Sequence, residues 1–467
     1  MNPIRIVRSE QPPPLAQSLH VPVAIVGAGA CGLSAAIRLR DAGIPCVLLE
    51  RDASPSGSTA LSSGFIPAAG TRLQKSLGIE DSNALFAQDV QAKAHGDAAP
   101  HLVSAYTEAV AQAIDALEAR HGITFEVLDG FLYPGHRVRR MHAVPERTGA
   151  ALMAALERAA QAAGADIVTE ALVRELWVNA ADQVLGLGYE RPDGTLEYLT
   201  CDALLLACNG FGGNPDMVSE LLPAMRHATF AGHTGNDGSA ILWGRQLQAG
   251  LADLGGYQGH GSWATPQGAL MSWAMMMEGG VQINAKGERF HDETQGYSEA
   301  AVHVLAQPGG VAWNILDTPL LAMARTFPDF VEAEKAGALR PAPDAGALAQ
   351  LIGCTPDALN QTLAGVQTGQ TDAFGRCFKR ALNAPFYAVK VTGALFHTQG
   401  GLAIDAHCRV LKEDGTPLPN LLAAGGAARG VSGNAVWGYL SGNGLLSALG
   451  GGWVAAGTLA AQLQPAA

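Results

Sequence analysis

VPVAIVGAGACGLSAAIRLRDAGIPCVLLER, residues 21–51, decides the fold. It carries Gly27-Ala28-Gly29-Ala30-Cys31-Gly32, a G-x-G-x-x-G set between a short apolar run and an alanine-rich one. Residues 23–26 are unbroken apolar, as a strand covered on both faces requires. Residues 33–40 space their apolar side chains for a helix and Gly43 stops it. Residues 46–49 read as a second buried strand, ending at Glu50. In such a βαβ unit Gly27 permits the tight turn, Gly29 lets backbone approach a pyrophosphate, and Gly32 lets the helix pack closely. The helix N-terminus at Ala30 then faces the phosphates. Glu50, followed by Arg51, stands where a ribose hydroxyl needs an acceptor. The motif predicts a dinucleotide and does not choose between NAD and FAD.

A chain of 467 residues is long enough for two or three domains. Apolar residues make up 48%, charged residues 15%, and glycines number 57, which fits large buried cores with many tight turns and excludes disorder. The net charge of −12 disfavours nucleic acid and anionic membranes as partners. Seven scattered cysteines without a C-x-x-C fit reduced thiols in a cytoplasmic protein, and no metal-ligand spacing occurs. Residues 1–20 are polar and proline-rich, show no secretory signal, and are expected to form a flexible arm. Residues 430–467 carry no charge, but glycines 433, 438, 442, 444 and 450–452 interrupt them. A buried, cofactor-facing helix is expected there in place of a membrane span.

Along the chain, residues 54–70 are rich in small and hydroxyl side chains that could wrap a phosphate or ring edge. Leu61, Phe65 and Ile66 among them point to burial. Residues 80–122 read as two amphipathic, peripheral helices, and His136 and His142 as loop histidines. A helix at 148–163 stops at Gly164. Strands follow at 166–168, 172–178 and 184–190, then a turn at 192–194 and an apolar strand at 201–207 that enters a glycine-rich loop. Asp237, between glycines ahead of a helix, is placed to cap it or to bond a ligand hydroxyl. From about Leu254 to Thr392 aromatic, methionine and proline content rises, as in an inserted domain. Buried strand and glycine return at 396–405, followed by a hairpin turning at Asp414-Gly415. A strand at 421–426 and a last helix opening after Asn443 complete the chain.

In this order, these stretches resemble the FAD-dependent fumarate reductase and succinate dehydrogenase flavoprotein family, which includes soluble flavoprotein dehydrogenases such as the 3-ketosteroid dehydrogenases. The most diagnostic pieces are H-T-x-G-G-L-x-I-D at 397–405 and G-x-R-F-x-x-E at 287–293. The resemblance implies an α/β fold: a Rossmann-like FAD-binding domain of the two-dinucleotide-binding type, in segments 21–254 and 393–467, with an inserted α+β capping domain at 255–392. FAD would be noncovalent, since Ser58 stands where membrane-complex members carry the attaching histidine. The cofactor contacts implied are Gly27, Gly29, Ala30, Gly32, Glu50, Arg51, Ser58, Thr59, Ser63, Gly64, Val173, Ala207, Asn209, Gly210, Asp237, Gly426, Asn443, Gly444 and Leu445. Gly426 replaces an acid usual in the family. The helix N-terminus after Asn443 is placed to stabilise negative charge at the flavin edge.

The activity implied is hydride exchange at flavin N5 with one carbon of a C–C bond beside a carbonyl or carboxylate, while a protein group exchanges the second hydrogen as a proton. The substrate would sit between cap and flavin ring. By resemblance Arg289 is the proton donor, an odd acid with a reference pKa of about 12.5 or more; a salt bridge to Asp292 or Glu293 is its other reading. His260 and His397 match histidines that hold substrate oxygens, with Thr398 as an added hydroxyl donor. Tyr439 stands where the reductases place a second substrate-clamping arginine, and Trp273 and Met276 where they place a Glu and an Arg feeding the proton donor. Unpaired carboxylates in a dry site cost several kcal/mol, roughly, so fumarate and succinate are disfavoured. Trp263, Met271, Trp273, Met275, Met276, Met277 and Tyr439 would line an apolar site, or form the cap's core.

The expected function is an FAD-dependent oxidoreductase of C–C bonds acting on an apolar or aromatic small molecule with a carbonyl or single carboxylate. A 3-ketosteroid-type dehydrogenase using Tyr439 is the alternative, and a flavin-binding protein without turnover the alternative of another class. Amine oxidation is disfavoured by the missing arginine. No cysteine cluster offers an internal electron carrier, so an external carrier or dioxygen is expected, and no second motif is left for NAD.

Overall fold

In the computed structural model, which describes residues 4–13, 19–128, 132–369 and 371–464, the chain forms two compact units. Unit one comprises Met1–Leu221, Gly232–Tyr257 and His397–Ala467, and unit two Leu222–Ala231 and Gln258–Phe396.

Unit one is built on strands β1 (Arg5–Arg8), β2 (His20–Val26), β3 (Cys46–Leu49), β4 (Asp166–Val168), β5 (Leu172–Val178), β6 (Val184–Glu190) and β7 (Leu196–Leu206). They lie in the order β1-β5-β6-β7-β2-β3-β4. Strands β7, β2, β3 and β4 run parallel, with Val23 opposite Cys46, while β5, β6 and β7 form an antiparallel meander. Pro417–Ala423 returns the chain to this sheet beside β7, pairing Leu204 with Leu421. Helix α1 (Ala30–Asp41) covers β2 and buries Leu33, Ile37 and Leu39 completely. Arg38 and Arg40 in its last turn suit the negative end of the helix dipole. Val23, Ala24 and Ile25 are fully buried, which is why that strand tolerates no polar alternation.

The closing segment Asn443–Leu463 is long and apolar enough to cross a membrane by length and composition alone, yet 56% of its most apolar window is buried inside the protein. Its glycines explain how. A Cβ on Gly452 would lie 2.4 Å from the Cys31 carbonyl oxygen, and one on Gly450 would lie 3.0 Å from that of Tyr106. Those glycines therefore do not break the helix; they seat it directly on α1 and on Pro100–His121. The last-named helix is correspondingly not peripheral: Leu102, Tyr106, Val110, Ile114 and Leu117 are fully buried.

Other expectations are corrected in the same way. Arg5–Arg8, read as part of a loose arm, pairs in parallel with β5, while 1–3 and 14–18 lie outside the described residues. Leu61 is 59% exposed and Phe65 half-buried, while Ile66 and the following Ala68 and Ala69 are buried. His142 is a buried strand residue within Met141–Ala143, held between Thr71 Oγ1 at 2.9 Å and the Arg140 carbonyl at 2.9 Å. His136 is buried as well, its Nε2 donating to the Ser441 carbonyl at 2.9 Å.

Unit two is a mixed sheet around the long strand Phe386–Thr398, flanked by Tyr257–Ala264 and Val311–Asp317, with Val281–Ile283 outside the latter. Leu339–Ala342 and Thr229–Phe230 also pair with the long strand, which is why Leu222–Ala231 joins this unit despite its place in the sequence. One apolar cluster gathers Met271, Met275, Met276, Leu316, Leu320 and Phe330, and another Ile283, Ile315, Leu348 and Phe378.

Candidate active site

The glycines of 27–32 divide their work as their surroundings require. Gly27 has φ +101° and a Cβ there would lie 2.6 Å from the Ala207 carbonyl oxygen. A Cβ on Gly32 would fall 2.0 Å from that of Gly27. Neither position admits a side chain. A Cβ on Gly29 would meet nothing within 4 Å, and one on Gly57 would face Gly29 Cα at 3.9 Å. Backbone N–H groups at the start of α1 thus border open space, the cradle a pyrophosphate needs.

Glu50 braces this turn. Its buried carboxylate accepts from Ala28 N at 2.9 Å and from Asp52 N at 3.1 Å, leaving a lone pair on each oxygen. Burial pushes its pKa up against those two hydrogen bonds. Arg51 donates to the Gly235 carbonyl at 3.0 Å and to Asp237 Oδ2 at 3.2 Å. Asp237 Oδ1 accepts from Ser239 N at 3.0 Å, so both its oxygens are structural: it holds the first residue of the helix Ser239–Gln246, whose N-cap is Gly238, and ties it to Arg51. Ser58 Oγ accepts from Asn209 Nδ2 at 3.1 Å and Asn236 Nδ2 at 2.9 Å. Gly64 (φ +71°) backs onto the Thr148 carbonyl, Thr59 lies against Gly149, and Ser63 is exposed. Val173 is buried in β5, and Ala207 is buried just beyond the end of β7. A Cβ on Gly210 would lie 2.0 Å from Thr398 Oγ1, and one on Gly426 would lie 2.1 Å from Asn209 Oδ1. The two chain segments of unit one meet at these glycines.

Beyond that junction lie His397, Tyr439 and Gly444. A Cβ on Gly444 would sit 2.8 Å from His397 Nε2 and 3.5 Å from Tyr439 Oη, and the two rings meet edge to face at 5.5 Å. Tyr439 is buried, and that burial drives its phenol well above the ordinary range against the backbone N–H groups of Gly444 and Gly442. Its phenol therefore keeps its proton at neutral pH. Burial pushes His397 down to about 4, so its imidazole is neutral at pH 7. At the opening of the closing helix, Asn443 Oδ1 and Ser447 Oγ are buried without a hydrogen-bond partner among the described residues. The helix widens to a π turn over Leu446–Gly450, a feature frequent at functional sites. Asn443 Oδ1 and Ser447 Oγ thus offer unused bonding capacity beside a helix N-terminus.

In unit two, His260 Nδ1 accepts from Ser262 N at 3.1 Å, which leaves its proton on Nε2. Burial lowers its pKa to about 3. Its ring stacks on Tyr297 at 5.1 Å and meets Trp273 and Phe396 edge-on at 5.7 and 6.0 Å, and Trp263 also lies edge-on to Phe396. Met271, Met275 and Met276 are fully buried in their own unit's core, so these methionines are packing.

Arg289 has little left to give. Its Nε and Nη2 donate to Glu293 at 3.0 and 2.6 Å, Nη2 also reaches the His291 carbonyl at 3.3 Å, and Nη1 is bonded to Asp372. Its guanidinium lies 4.8 Å from the ring centre of Phe378 and 5.4 Å from that of Phe374. Burial would lower its pKa, but Glu293 and Asp372 outweigh burial and raise it. Fully buried Glu293 also accepts from Arg376 Nη1 at 2.6 Å and Gln282 N at 3.0 Å. This arrangement fits the salt-bridge reading of Arg289 better than the proton-donor one. Tyr297, Asp372, Arg376 and Gln399 escaped sequence reasoning. The available signals were the i, i+4 spacing of Arg289 and Glu293 and the place of Gln399 inside the 397–405 motif.

The buried histidines carry a pH prediction. His136, His142 and His291 are held near 4 and His260 near 3, each chiefly by burial. Below about pH 6.5 the unfolded chain binds protons that the folded one refuses, so stability falls as pH drops from 6.5 toward 4, by about 1.4 kcal/mol per pH unit for each such group. Thermal unfolding should therefore occur several degrees lower at pH 5 than at pH 7, roughly; an unchanged Tm would contradict neutral burial.

A family model described as "FAD binding domain" matches residues 22–445. A probable fumarate reductase of Shewanella frigidimarina is 28% identical over 420 residues, covering 88% of this chain and 70% of that protein. A 4-oxocyclohexanecarboxylate 2-dehydrogenase of Sinomonas cyclohexanicum is 26% identical, covering 87% of each. The open conformation of a flavocytochrome c3 fumarate reductase superposes with a TM-score of 0.81 at 26% identity, covering 95% of this chain and 78% of that one.

Proposed function

This chain belongs to the FAD binding domain family and is an FAD-dependent oxidoreductase, and on that premise we propose that it adds or removes two hydrogens across a C–C bond beside a carbonyl, in a substrate less polar than fumarate. The observation that carries the substrate reading is the set His397, Tyr439 and Gly444, in which neutral donors stand together at a helix N-terminus. A dicarboxylate would need paired cations there; a ketone needs N–H and O–H donors aimed at its oxygen.

The residues that would hold FAD are the start of α1 from Gly29 for the pyrophosphate, Glu50 for the ribose, and Asn443 to Leu445 for the ring edge. Bound FAD would supply two-electron hydride exchange at N5, and the second hydrogen would leave or arrive as a proton exchanged with water. Tyr439 and His397 each point one proton at the carbonyl oxygen, where negative charge grows as the neighbouring carbon becomes acidic. Their neutrality lets them strengthen with that charge instead of binding a charged ground state. His260, also neutral, sits within the aromatic surroundings of unit two. Arg289, Glu293, Arg376 and Asp372 serve as a clamp that fixes unit two. A cyclic ketone bearing at most one carboxylate is the proposed substrate class, in keeping with the similar 4-oxocyclohexanecarboxylate 2-dehydrogenase of Sinomonas cyclohexanicum. Electrons pass to or from an external carrier or dioxygen.

A 3-ketosteroid-type substrate is the second reading, favoured by the buried Tyr439 hydroxyl. Tyr439→Phe tests both. It should lower kcat/KM for ketones about 10²-fold with flavin retained, and unaltered kinetics would leave polarisation to the histidines alone.

A further inference from the structure

The third residue of His397-Thr-Gln-Gly-Gly is glutamine, and its surroundings give it a task. Its backbone is pinned: Gln399 N donates to the Gly256 carbonyl at 2.8 Å and its carbonyl accepts from Gly430 N at 2.7 Å. Its side chain is buried together with Ser432 and Asn443. Asn443 Nδ2 donates to Ser432 Oγ at 3.0 Å. A serine hydroxyl has one hydrogen, so Ser432 Oγ spends it on Gln399 Oε1, 2.9 Å away. That fixes the amide, and Gln399 Nε2 donates to His397 Nδ1 at 3.1 Å, closer than the Thr398 carbonyl oxygen, which Nδ1 meets at 3.4 Å. A ring nitrogen that accepts leaves the imidazole proton on the other nitrogen. That other nitrogen, Nε2, is the one facing Gly444.

We propose that Asn443, Ser432 and Gln399 form a one-way hydrogen-bond relay that makes Gln399 a positioning residue, locking His397 as the neutral Nε2–H tautomer. The amide donor also separates two chemistries. A carboxylate at this place would accept from Nδ1–H and favour the imidazolium, making His397 an acid. An amide that donates keeps it a fixed N–H donor that polarises a carbonyl without surrendering its proton. The catalytic meaning of the relay rests on the proposed role of His397; the tautomer itself does not.

The test is a two-bond 1H–15N correlation spectrum of the 15N-histidine-labelled holoprotein at pH 7, with His397 assigned by its absence in His397→Leu. The expected spectrum shows a protonated Nε2 and an unprotonated Nδ1. Gln399→Leu should give a tautomer mixture and a fall in kcat of roughly ten- to a hundredfold with a smaller change in KM. Gln399→Glu should move the proton to Nδ1, while Ser432→Thr should preserve the wild-type tautomer and Ser432→Ala should not. An Nδ1–H tautomer in the wild type would mean the relay runs the opposite way and would overturn the proposal, as would an unmoved tautomer in Gln399→Leu. If the tautomer is as expected but His397→Leu turns over normally, the relay stands and the role of His397 falls.

Discussion

Replacing His397 by leucine is expected to cut turnover about 10²–10³-fold while FAD remains bound. Leucine fills the volume but carries no N–H, so the growing charge on the substrate oxygen loses one of its two donors in unit one, a loss of about 3–4 kcal/mol at the transition state. Protonation cannot compensate, because burial keeps the imidazole neutral down to about 4. The turn that would hold the pyrophosphate and the Glu50 that would hold the ribose owe nothing to His397: Gly27 packs on Ala207, and Glu50 bonds Ala28 N and Asp52 N. Flavin absorbance per chain should therefore be unchanged while kcat/KM collapses. Turnover within a factor of about three of wild type would remove His397 from the chemistry.

Glu293→Gln should destabilise unit two by about 3–5 kcal/mol. Glutamine is nearly isosteric, but the carboxylate it replaces neutralises Arg289 and Arg376 at once, with side-chain exposures of 7% and 2% for the two arginines. Burial alone would push Glu293 up, yet its arginines hold it below the usual carboxylate range, so it is charged wherever the fold persists. Its loss leaves positive charge stranded under the rings of Phe374 and Phe378. Urea unfolding of the holoprotein reads the effect as a lower midpoint. Arg289→Lys separates clamp from proton donor. Lysine keeps the charge but loses the bidentate fork, so the variant should unfold more easily and keep most of its turnover. A fully stable Arg289→Lys protein with turnover abolished would restore Arg289 as the proton donor.

What the sequence reveals follows from range. The G-x-G-x-x-G turn, the strands at 166–168, 172–178 and 184–190, and the helix capped by Thr148 are legible because their causes are local: apolar runs, glycine stops and cap residues. Glycines 450–452 mislead because a glycine that ends a helix and one that seats it against a neighbour look alike in sequence; only Tyr106 and Cys31 tell them apart. His142 reads as a loop residue because its strand is just Met141–Ala143. In the candidate site, His397 and Tyr439 emerge from motif positions. Arg376 and Asp372 sit 83 residues from their partners Glu293 and Arg289, and no periodicity spans that separation. Gln399 is visible as the variable letter of a motif, but its meaning depends on Ser432 and Asn443, brought to it by the fold.

The most direct measurement is an anaerobic flavin titration of the purified holoprotein. Oxidised protein is mixed with cyclic ketones, with and without a single carboxylate, and with succinate; chemically reduced protein is mixed with the matching enones and with fumarate. A cyclic ketone is expected to bleach the flavin band, or its enone to restore it, while succinate and fumarate at the same concentration do neither. Fumarate restoring the band as fast as any enone would contradict this expectation.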